Sequence, residues 1–195
     1  MDVILASASP RRKELLSLIF HSFRVIPSEF DEDELLHIAD PIEAVVRSSL
    51  GKAEDIAAKY PESLVIAADT VVVIDQKILG KPKDAADATR MLKLLSNRTH
   101  QVYTGVAVAR DGTLRSGYEC TDVIFRELDR EIIARYIRSS EPMDKAGAYA
   151  IQGIGAVLIR SINGCYSNVV GLPLYKLSIM LEEFGIMPLG NMQTN

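Results

Sequence analysis

Residues 64–80 read LVIAADTVVVIDQKILG, and they decide the architecture. So long a run of apolar and β-branched residues predicts a buried strand. Asp75-Gln76 supplies a turn, so the strand continues into a hairpin. Asp69 stands inside the run, flanked by apolar residues on both sides. Such an acid is expensive to bury unless it is hydrogen-bonded or binds a metal. The stretch alone leaves two readings open: a strand-end carboxylate held by backbone N–H groups, or a metal ligand or base that activates water.

Working outward toward the N-terminus, PIEAVVRSSLGKAEDIAAKY (41–60) predicts an amphipathic helix. Ile42, Val45, Val46, Ser49, Ala53, Ile56 and Ala57 recur in it at helical spacing. FRVIPS (23–28) reads as a strand followed by the acidic run EFDEDE. Residues 2–6 read as a first strand, and about 10–20 as a first helix with Leu15, Leu16 and Ile19 inward. Toward the C-terminus come a helix at about 84–96, the strand THQVYTGVAVAR, a DG turn at 111–112 and the strand LRSGYECTDVIF. An NG turn at 163–164 and a helix near 173–184, opened by Pro173, close the pattern. Strands and helices alternate early and hairpins dominate the middle. That pattern predicts an α/β fold: a mixed sheet flanked by helices, two lobes and a central cleft. Residues 1–188 read as a single α/β domain and 189–195 as a disordered tail.

The bulk numbers narrow the partners. The chain has 195 residues, 48% of them hydrophobic and 25% charged, with a formal net charge of −4. No overall basic field exists to recruit a nucleic acid polymer, so an anionic ligand needs a local cluster. Cys120 and Cys165 match no CxxC or zinc spacing. Two reduced thiols in a reducing compartment are expected, with a lone disulfide left open. The start lacks the features of a signal peptide, and no apolar run approaches the roughly 18 residues that cross a bilayer. A cytoplasmic protein with no membrane partner is the expectation.

SASPRRKELL (7–16) provides a cluster of the required kind. Ser9 suits an N-cap and Pro10 the first helical position. Arg11 and Arg12 then fall in the first turn, where a cation costs about 0.3–1 kcal/mol instead of helping. A bound anion would reverse that sign, with Ser7, Ser9 and the two guanidinium forks as donors. Pairing of both arginines with surface carboxylates explains them equally well.

Four further stretches carry polar chemistry. In LGKPKD (79–84), Gly80 and Pro82 set a sharp turn that holds Lys81, although a solvated lysine also fits. Lys52 is unremarkable unless its helix face meets the same site. EFDEDE (29–34) is either solvated surface or a source of hard oxygen ligands for Mg²⁺ that join Asp69. In DKAGAYAIQGIGA (144–156), small residues permit close approach to a flat ligand, and the Gln152 amide matches the imide edge of uracil or thymine. A tight turn leading into a strand is the alternative. No GxxxxGK[ST], HExxH or GxSxG occurs, GIG falls short of GxGxxG, and His21, His37 and His100 lack ligand spacing.

Taken in order, SASPRR, the Lys-Ala at 52–53, AADTVV, LGKP, HQVYTG, EPMDKAGAYAIQG and VVGLP resemble the Maf family of nucleoside triphosphate pyrophosphatases. The resemblance spans about residues 3–185. It implies an elongated twisted mixed sheet similar to that of the inosine-triphosphate pyrophosphatases. It also implies metal-assisted hydrolysis of a nucleoside triphosphate to the monophosphate and pyrophosphate, with Mg²⁺ or Mn²⁺, by a cytoplasmic protein that is often a homodimer. Position by position, Asp69 matches the family's proton acceptor. Ser7, Arg11, Arg12, Lys52 and Lys81 match its polar and basic cleft residues, with Ser9 beside them. Arg12, Thr70 and Gln152 match positions tied to substrate choice, and Glu32 falls where an acid assists the metal.

AGAYxIQG resembles the branch acting on dTTP and UTP rather than the one acting on 7-methyl-GTP, which carries Glu at the Gln152 position. A nucleotide-binding regulator of cell division is the competing reading, since the family is linked with septum formation. Gly51 stands where relatives carry a larger polar residue, which predicts a looser helix around Lys52.

Overall fold

The computed structural model describes residues 1–31, 35 and 38–188; the tail expected at 189–195 lies outside them. Among the described residues, seven strands form one mixed sheet: β1 (Val3–Leu5), β2 (Arg24–Val25), β3 (Leu64–Ile74), β4 (Lys77–Leu79), β5 (Thr99–Arg110), β6 (Thr113–Phe125) and β7 (Ile159–Asn163). Their order is β2-β1-β3-β5-β6-β7, with β4 paired to β3. β1 runs parallel to both β2 and β3, whereas β3–β4 and β6–β7 are antiparallel. The predicted mixed α/β sheet is thus the observed one. Helices α1 (Pro10–Leu16), α2 (Pro41–Lys59), α3 (Ala85–Leu95), α4 (Arg130–Arg138), α5 (Tyr166–Val170) and α6 (Leu174–Glu183) accompany it. Among the described residues, no helix is long and apolar enough to cross a membrane.

The chain divides into two compact units. The first comprises Met1–Asp69, Thr104–Glu119 and the chain from Gly171; the second comprises Thr70–Tyr103 and Cys120–Val170. In the first, α2 packs over Ile4, Ala6, Val65, Ala67, Ala107 and Ala109 through Ala53 and Ile56. Alanines on the sheet face let the helix sit close, and Gly105 lets it sit closer still. A Cβ there would lie 2.1 Å from the Val45 carbonyl oxygen. The Asp40 carboxylate caps α2 by accepting from Ile42 N at 2.9 Å, with Pro41 opening the helix.

In the second unit, α3 and α4 cover a core of Val72, Ile74, Leu92, Leu95, Val123 and Phe125, among others. His100 is buried there, with Nε2 2.7 Å from the Tyr149 hydroxyl and the Phe125 ring edge-on at 5.0 Å. Burial lowers the His100 pKa to about 4, against a smaller opposing pull from Asp122. The Tyr149 hydroxyl is pushed well above its usual range by the same desolvation.

Several boundaries differ from the sequence reading. α1 stops at Leu16 instead of continuing to 20, because Ser17 Oγ donates to the Glu14 carbonyl and the chain tightens into short turns. The strand expected at 23–28 shrinks to Arg24–Val25, since Pro27 has no N–H to extend the ladder. Asp75 and Gln76 (φ 50° and 61°) and Asp111-Gly112 (φ 49° and 74°) form the two expected hairpin turns. Asn163-Gly164 instead leaves the sheet into α5, with Gly164 at φ 133° and packed on Thr121. Helix α4 has no counterpart in the sequence reading, although Asp129 caps it by accepting from Ile132 N at 2.8 Å.

Gly51 also corrects an expectation. α2 continues unbroken through it, and a Cβ there would fall 2.3 Å from the Phe30 ring. The glycine is a seat for an aromatic ring, not a loosened point.

Candidate functional site

The ladder between β1 and β3 sets the geometry of the first unit. Its last pair is Leu5↔Ile66, and Ala6 N donates to the Ile66 carbonyl at 2.8 Å. Ser7 and Asp69 therefore follow two and three residues later, at the carboxyl end where β1 departs and β3 goes on. Ligands of α/β sheets gather at the carboxyl ends of parallel strands. The burial of β3 breaks at this point: Leu64–Ala68 are buried, Asp69, Thr70 and Val71 half-buried, and Val72–Ile74 buried again.

Lys52 meets Asp69 here. The inward face of α2 carries Val45, Ser48, Ser49, Lys52, Ala53 and Ile56, so helical periodicity turns the lysine toward the sheet. Its Nζ donates to Asp69 Oδ1 at 2.9 Å, with side-chain exposures of 8% and 20%. An ammonium so far removed from water needs a partner, and the carboxylate supplies one. Of the two readings of Asp69, the backbone-held carboxylate gives way to a charge pair.

The arginine segment is built differently from its sequence signature. Ser9 caps α1 with an acceptor 3.5 Å from Arg12 N, and Pro10 opens the helix as expected. With seven residues, α1 contributes little macrodipole, so other groups place the arginine. Arg12 Nη1 donates to Ser7 Oγ at 3.2 Å, and Nε donates to the Gly171 carbonyl at 2.8 Å. Ser7 is buried, and its Oγ also accepts from Ser9 N at 3.3 Å. Gly171 reaches this position at φ 126°, just before the fully buried Leu172. Arg11 is half-buried and has no ion pair among the described residues.

Gly171 is a neighbour of Arg12 that sequence reasoning did not single out. VVGLP is only one of the motifs of the resemblance, with no role given to its glycine.

The second unit carries Thr70, Lys81 and Gln152. Lys81 is exposed on the turn after β4, beside the buried Pro82. That turn is pinned where Gly147 N donates to the Gly80 carbonyl at 3.0 Å, so LGKP and DKAGAY meet. Gly147 (φ 67°) also lies against Val72, whose methyl carbons would stand 3.0 Å from an added Cβ. Gln152 is half-buried, and its side chain makes no hydrogen bond to a described residue.

Glu32 lies outside the described residues. Among those described, no group of three or more His, Cys, Asp or Glu side chains is poised to hold a metal ion. Mg²⁺ commonly takes one or two carboxylates and completes its shell with substrate phosphates and water, and Asp69, with Oδ1 on Lys52, has Oδ2 to offer such an ion. Cys120 and Cys165 are both free thiols.

The description Maf-like protein matches residues 2–184. The chain belongs to the Maf family. Relatives include the dTTP/UTP pyrophosphatase of Clostridium botulinum (strain Eklund 17B / Type B), 50% identical over 94% of this Maf chain and 99% of that protein. The dTTP/UTP pyrophosphatase of Symbiobacterium thermophilum is 50% identical over 94% of each chain. Among solved structures, the Maf chain aligns with a nucleoside-triphosphatase / dITP/XTP pyrophosphatase from Mycobacterium abscessus. That alignment has a TM-score of 0.47 at 13% identity, covering 98% of this chain and 100% of that one.

Proposed function

We propose that this Maf protein hydrolyses dTTP and UTP to the monophosphate and pyrophosphate. The observation that carries the reading is the Lys52–Asp69 pair at the carboxyl end of β3, one strand from the Ser7 that holds Arg12. An acid, a buried ammonium and a guanidinium are groups suited to phosphoanhydride hydrolysis. Relatives about 50% identical named dTTP/UTP pyrophosphatase support the substrate class.

In this mechanism Asp69 takes the proton of a water that attacks the α-phosphorus. The α–β bridging bond breaks, and its electron pair leaves with pyrophosphate. Lys52 holds Asp69 in place and offsets charge on the phosphates, joined by Arg11, Arg12 and Lys81. Arg12 presents a planar fork fixed at Nε and Nη1. Ser7 and Ser9 orient that fork, and Thr70 and Gln152 read the nucleoside. A divalent ion, Mg²⁺ or Mn²⁺, held by Asp69 with Glu32, would supply charge neutralisation and a more acidic water. A homodimer in the cytoplasm completes the reading.

Pyrophosphate release from dTTP, UTP, dCTP, dGTP and 7-methyl-GTP, with Mg²⁺ or Mn²⁺, tests it. Turnover of dTTP and UTP above the others is expected. Binding of dTTP without pyrophosphate release would point to a regulator, and preference for 7-methyl-GTP to the other branch; either result overturns the proposal.

A further inference from the structure

Within the second unit, the segment carrying Gln152 is wired to one carboxylate outside the charged group already described. Glu141 opens a short 3-10 turn, Glu141–Asp144, and its side chain reaches the chain that follows. Oε1 accepts from the Tyr136 hydroxyl and from Gly155 N, each at 2.9 Å. Oε2 accepts from Ile154 N at 3.0 Å. The Tyr136 hydroxyl in turn accepts from Ala150 N at 3.2 Å. Gln152 is thus bracketed by backbone anchors two residues before it and two and three residues after it.

The approach is close enough to demand glycine. A Cβ on Gly153 would lie 2.5 Å from Glu141 Oε2, at a φ of 68° that already disfavours side chains. A Cβ on Gly155 would lie 2.6 Å from the Tyr136 hydroxyl and 3.0 Å from Glu141 Oε1. The glycines of AIQGIG thereby acquire a reason: they admit the Glu141 carboxylate, and at Gly155 also the Ala150 carbonyl, 2.4 Å from an added Cβ. Lys145 Nζ donates to the Glu141 carbonyl at 2.8 Å and steadies the turn itself.

Burial alone would raise the Glu141 pKa. The N–H groups of Gly155 and Ile154, the Tyr136 hydroxyl and the nearby Lys145 outweigh it, so the pKa lies below the usual carboxylate value. The group is a permanent acceptor at neutral pH, suited to holding backbone and not to moving protons. Gln152, inside the bracket, keeps its amide unbonded among the described residues. A fixed main chain carrying one uncommitted amide is the construction a hydrogen-bonding reader needs, because discrimination requires placement within about 0.5 Å.

We propose that Glu141 is a positioning residue for base selection: it fixes the 150–155 segment so that the Gln152 amide meets the N–H and carbonyl of a uracil or thymine ring. The proposal rests on the reading of Gln152 given above. Glu141→Gln replaces one acceptor oxygen with an NH₂ that faces an N–H, releasing one side of the bracket while keeping the shape.

The test compares kcat and KM for dTTP, dCTP and dGTP in the parent, Gln152→Ala, Glu141→Gln and the double variant. Glu141→Gln should lower the dTTP preference about tenfold or more, chiefly through KM for dTTP, as expected for a lost polar discrimination. In the Gln152→Ala background the same change should alter preference less than twofold. Tyr136→Phe, which deletes only a hydroxyl, should show the same pattern at smaller scale and serves if Glu141→Gln does not fold. An unchanged preference in Glu141→Gln and Tyr136→Phe, alongside its loss in Gln152→Ala, overturns the role of Glu141. An equal fall in kcat for every substrate does so too, since that is the signature of a merely structural part. A dTTP preference that survives Gln152→Ala removes the reading of Gln152, and this proposal with it.

Discussion

Lys52 Nζ and Asp69 Oδ1 stand 2.9 Å apart, the lysine from α2 and the acid from the middle of β3. In the proposed mechanism the pair couples fold and chemistry, so its variants separate the two. Asp69→Asn keeps an acceptor for the ammonium and should cost less stability than Asp69→Ala, which strands a buried charge and should cost about 3–5 kcal/mol. Both should reduce dTTP turnover at least about 100-fold, the usual scale for loss of a general base. Urea unfolding and pyrophosphate release check the two halves. Parental turnover in Asp69→Asn would refute the assignment.

In the proposed mechanism Arg12 does two jobs, so Arg12→Ala should register in both. Losing the bonds to Ser7 and Gly171 should remove about 1–2 kcal/mol of stability, while KM for dTTP should rise about tenfold or more. Arg12→Lys should restore little of either, because an ammonium cannot hold two acceptors in one plane and still face a phosphate. Ser7→Ala should weaken dTTP binding less than Arg12→Ala does. Denaturation and steady-state kinetics on the three variants decide it.

Gly51→Ala ought to help α2 by about 1 kcal/mol on helix propensity alone. The Phe30 ring, 2.3 Å from the added Cβ, should cancel that gain and leave the variant no more stable than the parent. In a Phe30→Ala background the same change should stabilise. A thermal-denaturation cycle over the four proteins reads the change of sign. Gly105→Ala should be far worse, because the atom it meets is the Val45 backbone and cannot swing aside.

His100 makes stability depend on pH. Its folded-state pKa of about 4 lies below the ordinary 6.5, so the unfolded chain binds the extra proton first. The stabilisation is fully present above about pH 6.5 and is lost as pH falls toward 4, with a total of about 3 kcal/mol. Glu141, Asp2, Asp55 and Asp87, whose pKa values are also lowered, add to the fall at still lower pH. Denaturant midpoints at pH 7, 5.5 and 4.5 should decline in the parent and flatten in His100→Gln over the upper part of that range.

Much of this was legible in the sequence where one residue's chemistry sufficed. An acid inside LVIAADTVVVI announced itself by the cost of burying it, and Asp75-Gln76 and Asp111-Gly112 marked their turns. Lys52 was invisible alone, because a lysine on an amphipathic helix resembles any solvated lysine until the sheet packs beneath it. Gly51 misled, because propensity counts a glycine's cost to the helix but not the ring that fills its place. The extent of α1 misled likewise, since Leu18 and Ile19 continue an apolar pattern after the backbone has left the helix. Gly171 and Glu141 act through partners far along the chain or through their own backbone neighbours, and composition encodes neither.

The Arg12 bond to Gly171 links residues 159 apart. At a ribosomal pace of about 5–20 residues per second, about 8–30 s separate the synthesis of the arginine from that of the carbonyl that holds it. Throughout that interval the emerging polypeptide lacks this grip on the guanidinium. The newborn chain therefore gains this hold on the Arg12 guanidinium only once Gly171 has been made.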